Sequence, residues 1–192
     1  MGKKRIVRAV RAKSGAIVRR AETIDGWSLR RAGREIEIER ERSGRGWRHV
    51  VSRADVERFV ELIDDWDELA EALSVIRLAA GAWTFGYSNP HAIAVRAFPR
   101  DMRVPMVRFD CFARRVLSLL EVPAVGRCFH FQPDTARAWQ LLDVFMHELG
   151  HHVDMRSNAM MRARGGEYFA IRFAADRLVV LWPRYRRAFE LR

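Results

Sequence analysis

The chain has 192 residues, of which 49% are hydrophobic, and a formal net charge of +11. This length and apolar content exclude a disordered chain and are typical of one domain with an appendage. Two cysteines cannot form a disulfide framework, so we expect a reducing, cytoplasmic location. The sequence contains no apolar run of about 18 residues and no signal-peptide pattern. We therefore expect no association with a membrane.

The positive charge lies at the two ends of the chain. Residues 1–48 carry a net +9 and residues 156–192 a net +6, whereas residues 49–155 carry −4. Arginine supplies 32 of the 35 basic residues, and both phosphate recognition and ordinary surface arginines explain such an excess. The first 20 residues contain eight basic and no acidic side chains. This pattern predicts a flexible basic arm at residues 1–20, or a strand that orders on contact with an acidic partner, and weak contact with nucleic acid is one role open to it.

Residues 21–65 predict a small β-meander followed by a helix. Segments 26–30, 34–40 and 46–51 have strand character, and Ser52 can cap a helix with apolar residues at helical spacing. Two interpretations stay open for this unit: a nucleic-acid-binding β-ribbon, or a packing and partner-docking module. The alternating glutamates of the middle segment disfavour a phosphate-binding surface.

Residues 66–192 form the second predicted unit, in which short apolar strands alternate with helices. The pattern predicts strands at 73–80, 92–98 and 126–131, a loop at 81–90, and helices beginning at Asp110 and Asp134. This order of elements is typical of an α+β fold with a small mixed sheet. The acidic run at residues 64–71 is typical of a solvated surface.

The helix predicted to begin at Asp134 carries the sequence HELGH at residues 147–151. His147 and His151 lie one turn apart on one helix face, where two imidazoles can bind one metal ion. With Zn²⁺ as the metal, we expect Glu148 to act as general base towards a water that the metal activates. The alternative is two histidines that fall four positions apart by chance, and the long amphipathic helix around them disfavours it.

A third ligand is needed, because two histidines underfill a zinc site. The metzincin pattern requires glycine at 154 and histidine at 157, but the chain has Asp154 and Ser157. We expect the third ligand to be Glu167, which follows two glycines and begins a second helical segment that can pack against the first. The alternative for Glu167 is a carboxylate that only stabilises a helix N-terminus.

Two further carboxylates share the helix face of the histidines. Asp143 lies four residues before His147, and Asp154 lies three residues after His151. Either aspartate can accept the free ring N–H of a ligand imidazole, and this role is favoured over direct metal ligation. His152 lies on another face and is not expected in the site.

These residues resemble the zincin metallopeptidases in the gluzincin-like arrangement, in which a distal glutamate completes the metal site. The HELGH motif matches HExxH, and EYFAIRFA at residues 167–174 is similar to the E-x-x-A-x-x-[FW]-A segment of ImmA/IrrE-type minimal zinc proteases. The resemblance covers about residues 126–181. It implies a minimal zincin-like domain with a long active-site helix and a C-terminal helix. It also implies that residues 126–131 are the edge strand on which an extended substrate adds.

The sequence therefore predicts a zinc metallopeptidase that hydrolyses protein or peptide substrates. Zinc is expected at His147, His151 and Glu167, with Glu148 as the catalytic base. The alternative from another class is a nucleic-acid or partner-binding protein with a structural, non-catalytic zinc site. A combination of the two would place the protease on a nucleic-acid-bound substrate through its basic ends.

Overall fold

The computed structural model describes residues 23–31, 34–109, 111–157 and 165–191. The strands are β1 (Thr23–Arg31), β2 (Arg34–Glu41), β3 (Trp47–Arg48), β4 (Val75–Ala79), β5 (Gly86–Asn89), β6 (Ala92–Arg96), β7 (Phe98–Pro99), β8 (Arg103–Pro105), β9 (Ala124–Val125) and β10 (Cys128–His130). The helices are α1 (Arg53–Val60), α2 (Trp66–Leu69), α3 (Cys111–Leu119), α4 (Pro133–Trp139), α5 (Met146–Arg156) and α6 (Gly166–Ala188), with a 3₁₀ turn at Met106–Arg108 and a π-helical segment at Gln140–Phe145. The predicted α+β class is confirmed. The predicted basic arm at residues 1–20 and the predicted helix start at Asp110 lie outside the described residues.

The largest sheet has five strands in the order β1-β2-β4-β6-β5. The middle strands β2, β4 and β6 run parallel, and the outer strands β1 and β5 each pair antiparallel with their neighbour. The sheet is therefore mixed, as the sequence predicts. The predicted domain boundary between residues 65 and 66 crosses it, because β1 and β2 precede that point and the other three strands follow it.

The predicted meander at residues 21–65 is formed only in part. β1 and β2 are an antiparallel pair, but the third predicted strand is reduced to β3, which pairs with β7 instead of β2. The β2 edge is taken by the parallel strand β4. The predicted helix cap is confirmed in α1, where the Asp55 N–H donates to Ser52 Oγ at 3.1 Å and the Ser52 N–H donates to Asp55 Oδ2 at 2.8 Å.

The long helix predicted from Asp134 is present as α4, the π-helical segment and α5 in direct succession. Its first residues differ from the prediction, since Gln132 and not Asp134 occupies the cap position. The Gln132 N–H donates to Thr135 Oγ1 at 3.0 Å, whereas Asp134 binds Arg137 at 2.9 Å. Pro133 at the first helical position favours this start, because its missing N–H needs no partner there.

The prediction of an edge strand at residues 126–131 is wrong. The strand exists as β10, but it is the middle strand of a separate sheet in the order β8-β10-β9, so both its edges are paired. The outer strand beside α5 is β5, which lies where the sequence predicts a loop at 81–90. Its sequence, Gly-Tyr-Ser-Asn, consists largely of turn-forming residues and has no apolar alternation, which explains the wrong prediction.

One hydrophobic core joins the sheets to the helices. Its largest fully buried side chains include Trp66, Trp139, Tyr185, Phe59 and Phe145, which pack edge to face or stacked. The helix α6 extends through Pro183 and carries Tyr185 into this core. No helix among the described residues is long and apolar enough to span a bilayer.

The acidic side chains of the run at residues 64–71 are largely exposed, as the sequence predicts, and several of them also form ion pairs. Three of its carboxylates bind arginines of the two C-terminal helices at 2.7–3.0 Å, in the pairs Asp64–Arg184, Asp65–Arg177 and Glu71–Arg156. The run therefore joins the segment around α2 to α5 and α6. Spacing along the sequence cannot reveal pairs that lie more than 80 residues apart.

Candidate metal centre

The site is formed where α5 and the first turn of α6 meet. Gly150 lies at the closest approach, because a Cβ there would be 2.9 Å from the Ala170 Cα and 3.2 Å from the Phe173 Cβ. Only glycine allows the two helix backbones to come this near without displacement. The expectation that the second helix packs against the first is confirmed. This contact brings Glu167, in the first turn of α6, to the histidine face of α5.

Three side chains place their donor atoms in a small triangle. The Nε2 atoms of His147 and His151 are 3.1 Å apart, and the Glu167 carboxylate oxygens lie 3.2 Å from the first and 3.3 Å from the second. Ligands about 2.0–2.1 Å from a tetrahedral zinc ion are separated by roughly 3.3–3.4 Å. The donor types and their spacing thus fit Zn²⁺. Within the part of the chain that the structure describes, the cluster of candidate metal ligands consists of these three side chains.

A cavity of about 670 Å³ adjoins the triangle. Residues of the segment that includes β5, of the 3₁₀ turn, of the π-helical segment and of α5 form its walls. All three candidate ligands and Glu148 also line the cavity. Glu167 is 76% exposed in its side chain, whereas Glu148 is only 8% exposed. The candidate ligands are therefore reachable from solvent, while the predicted base lies in a drier position next to them.

Glu148 lies against the outer strand β5. A Cβ on Gly86 would be 2.5 Å from the Glu148 Oε1, so the carboxylate occupies the space that this glycine leaves free. The Ser88 side chain, two residues along the strand, makes a hydrogen bond to the Glu148 carboxylate. Burial raises the pKa of Glu148 to about 7; the Ser88 hydrogen bond and the Arg96 charge oppose this rise, and the Glu167 charge adds to it. A carboxyl group with such a pKa can both accept and release a proton near neutral pH.

Asp154 does not bind a ligand imidazole in the way the sequence predicts. Its buried carboxylate accepts hydrogen bonds from the backbone N–H of Gly165 at 3.0 and 3.1 Å and from that of Gly166 at 2.9 Å. These amides open α6, where unpaired N–H groups need acceptors. Gly166 has a φ of +53°, which glycine tolerates. Asp154 therefore fixes the turn immediately before Glu167.

Asp143 and His152, for which the sequence analysis also gives an expectation, lie in different parts of the structure. Asp143 lies in the wall of the cavity, near the candidate ligands, and is 7% exposed. His152 is fully buried, and its Nε2 donates to the Glu71 carbonyl at 3.0 Å. Burial lowers the pKa of His152, so it acts as a neutral core histidine outside the cavity wall.

Most residues of the cavity wall are not predicted from the sequence, among them Gly86, Ser88 and Arg108. Gly86 and Ser88 lie in a segment with no strand pattern, and Arg108 is the last residue of an isolated 3₁₀ turn. None belongs to a spacing pattern that includes the HELGH motif, so only the fold brings them to it.

No model of a known protein family, no curated protein and no solved structure matches this chain. The resemblance to the zincins therefore stays a prediction.

Proposed function

We propose that the chain is a zinc-dependent metallopeptidase with a zincin-like catalytic domain. The observation that supports this most is the three-donor triangle of His147, His151 and Glu167 beside the buried carboxylate of Glu148. Two imidazoles and one carboxylate are a donor set typical of catalytic zinc sites, which use three protein ligands.

The chemistry follows from what each side chain can do. Zinc bound by the three ligands supplies Lewis acidity and an activated water at neutral pH. Glu148 takes the proton of the attacking water and passes it to the leaving amine, which a pKa near 7 permits in both directions. The Ser88 hydrogen bond orients the Glu148 carboxylate during this transfer.

The outer strand β5 provides a place for an extended peptide. It pairs with β6 on one side, and no described strand pairs with it on the other. The Arg96 N–H donates to the Phe85 carbonyl at 2.8 Å, so by the alternation of an antiparallel ladder the backbone groups of Gly86 and Ser88 face the unpaired edge. A peptide that adds to this edge would run past Glu148 and the zinc ligands. In this proposal β5 replaces residues 126–131 as the substrate strand.

The rival function, a binding protein with a structural zinc, has less support. Structural zinc sites normally have four protein ligands and are closed, whereas the described cluster has three members and adjoins a cavity of about 670 Å³. A buried carboxylate with a raised pKa next to three candidate ligands is also more typical of catalytic than of structural zinc sites.

The test compares metal content and peptide hydrolysis in purified variants. The wild type is expected to bind one zinc ion per chain and to hydrolyse a peptide mixture in a chelator-sensitive way. Glu148→Gln should keep zinc but lose turnover, and Glu167→Ala should lose zinc. Glu61→Gln, an exposed carboxylate outside the cavity, is the matched control and should behave as wild type.

Two results would overturn the proposal. One is undiminished hydrolysis by Glu148→Gln. The other is a zinc-loaded, folded wild type that hydrolyses no peptide but binds DNA or RNA in a salt-sensitive way, which is the result that the rival predicts.

A further inference from the structure

Among the described residues, Arg108 is the one arginine in the wall of the cavity that holds the candidate zinc ligands and Glu148. It ends the 3₁₀ turn Met106–Arg108. Its guanidinium carbon lies 4.0 Å from the centre of the Phe85 ring and 4.7 Å from that of Trp83. Both aromatic rings make cation–π contacts with the flat guanidinium, and the less exposed Phe85 ring supports it from one face.

This guanidinium has no polar partner among the described residues. Its Nη2 is buried and donates to no acceptor among the described residues, and no described carboxylate forms an ion pair with it. Burial lowers the pKa of Arg108, which reflects the loss of water around the cation. A buried donor without a partner costs free energy, and this donor lies in a cavity wall, where a ligand can supply the missing acceptor.

We propose that Arg108 binds a carboxylate of the peptide substrate, so that the cavity selects acidic substrates; this inference rests on the proposed peptidase function. A guanidinium offers paired N–H donors in a planar fork that matches the two oxygens of a carboxylate. The other charged side chains of the cavity wall, Asp143, Glu148 and Glu167, are acidic. They would repel a substrate carboxylate, so Arg108 fixes where that group lies.

Trp83 controls access to the guanidinium. It covers Arg108 from one side and is 74% exposed, so little packing holds its ring in place. Exposed side chains change rotamer on a time scale of picoseconds to nanoseconds. A carboxylate can therefore reach the Arg108 donors when the indole turns aside, while Phe85 keeps supporting the other face.

The carboxylate can come from two sources, an Asp or Glu side chain or the C-terminus of a peptide. Four alanine-based pentapeptides distinguish the two sources. They combine a central Glu or Gln with a free or an amidated C-terminus. With the zinc-loaded wild type, we expect kcat/KM to be on the order of 10-fold higher when the recognised carboxylate is present, because hydrogen bonds to charged groups are the strong ones. Preference for Glu over Gln identifies the side chain, and preference for the free over the amidated end identifies the C-terminus.

Arg108→Gln should abolish this preference, so that the acidic and the neutral peptides are hydrolysed with equal kcat/KM. Arg108→Lys, which keeps the charge but loses the fork, should retain part of it. Arg127→Gln changes an exposed arginine outside the cavity wall and serves as the matched control. A wild type without preference, or an Arg108→Gln variant that keeps it, would overturn the inference.

A binding measurement separates failure of this inference from failure of the peptidase proposal. The ¹⁵N resonance of the Arg108 side chain in the metal-free wild type, assigned by its loss in Arg108→Gln, should shift on addition of the recognised acidic peptide but not of its neutral counterpart. If no peptide is hydrolysed and the resonance still shifts selectively, the peptidase proposal fails and carboxylate binding by Arg108 stands. If hydrolysis occurs and the resonance does not respond, the carboxylate assignment is wrong.

Discussion

Gly86 shows how one missing side chain can set the position of a proposed catalytic group. The Glu148 carboxylate fills the space beside its Cα, and the carbonyl oxygen of Ala94 on β6 closes the other side, 2.8 Å from where a Cβ would lie. That carbonyl belongs to a paired strand and cannot yield easily. Any side chain at Gly86 must therefore displace Glu148.

We predict that Gly86→Ala lowers turnover by roughly 100-fold, since displacements of about 1 Å at a catalytic group have effects of this size. Zinc content should stay at the wild-type level, because the nearest atoms to the added methyl belong to Glu148 and Ala94 and not to a proposed ligand. Ser88→Ala, which removes a hydrogen bond without adding atoms, should have a smaller effect. Peptide hydrolysis and metal analysis of the same preparations measure both quantities. Full turnover in Gly86→Ala would show that Glu148 is not required in its observed position.

At the scale of elements, Asp154 connects the end of α5 to the start of α6. It satisfies two backbone N–H groups that no turn of α6 can satisfy, and Glu167 follows directly after them. The proposed zinc site thus depends on a carboxylate that is not itself one of the three donors. Residues that hold metal ligands in place commonly affect metal affinity by 10- to 100-fold.

We predict that Asp154→Ala lowers zinc affinity by roughly 10- to 100-fold and the free energy of unfolding by about 0.5–2 kcal/mol, because the first two amides of α6 lose their capping acceptor. Asp154→Asn keeps one acceptor oxygen and should show an intermediate loss. Zinc affinity is measured by competition with a chromogenic chelator, and stability by urea unfolding of the metal-free chain. A folded Asp154→Ala variant with wild-type zinc affinity would contradict this role.

The elements also show which parts of the fold the sequence could predict. Two helices can be predicted from the sequence alone: the one that carries HELGH and the one that begins beside Glu167. Both have apolar residues at helical spacing and a local start signal. Strand β5 has neither, because its side chains lie at an edge and need no apolar alternation. The sequence predicts β10 as a strand, but it predicts an edge position and not the middle position that β10 has in its sheet. The strands that pair with β10 depend on contacts far along the chain. The site residues on helices were thus predictable, and those on β5 and the 3₁₀ turn were not.

At the scale of the whole molecule, the net charge of +11 does not describe a uniform basic surface. Arg156, Arg177 and Arg184 account for three of the nine basic residues in 156–192, and all three bind carboxylates of the acidic run at residues 64–71. Part of the C-terminal excess is therefore used inside the fold to hold α5 and α6 in place. This weakens the argument from charge to nucleic-acid binding at that end of the chain.

The Asp65–Arg177 pair makes this structural use of charge measurable. The Nη1 and Nη2 atoms of Arg177 donate to the two carboxylate oxygens of Asp65 at 2.8 and 2.7 Å. These hydrogen bonds hold the pKa of Asp65 below its ordinary value. A carboxyl group with a lower pKa in the folded than in the unfolded chain stabilises the fold above the unfolded pKa of about 4, and this contribution is lost as the pH falls through the folded pKa. Because the Asp65 side chain is 39% exposed, solvent screening limits the effect to about 1 kcal/mol or less.

We therefore predict that Asp65→Asn lowers the free energy of unfolding of the metal-free chain by up to about 1 kcal/mol at pH 7 and by less near pH 3, because the contribution of the lowered pKa is fully present only above the unfolded pKa of about 4. Urea unfolding at the two pH values measures the difference. Glu61→Gln, which removes an exposed carboxylate that forms no ion pair with a described residue, should be neutral at both. A loss in Asp65→Asn that is equally large at pH 3 would mean that packing of the side chain, and not its charge, joins α6 to the acidic run.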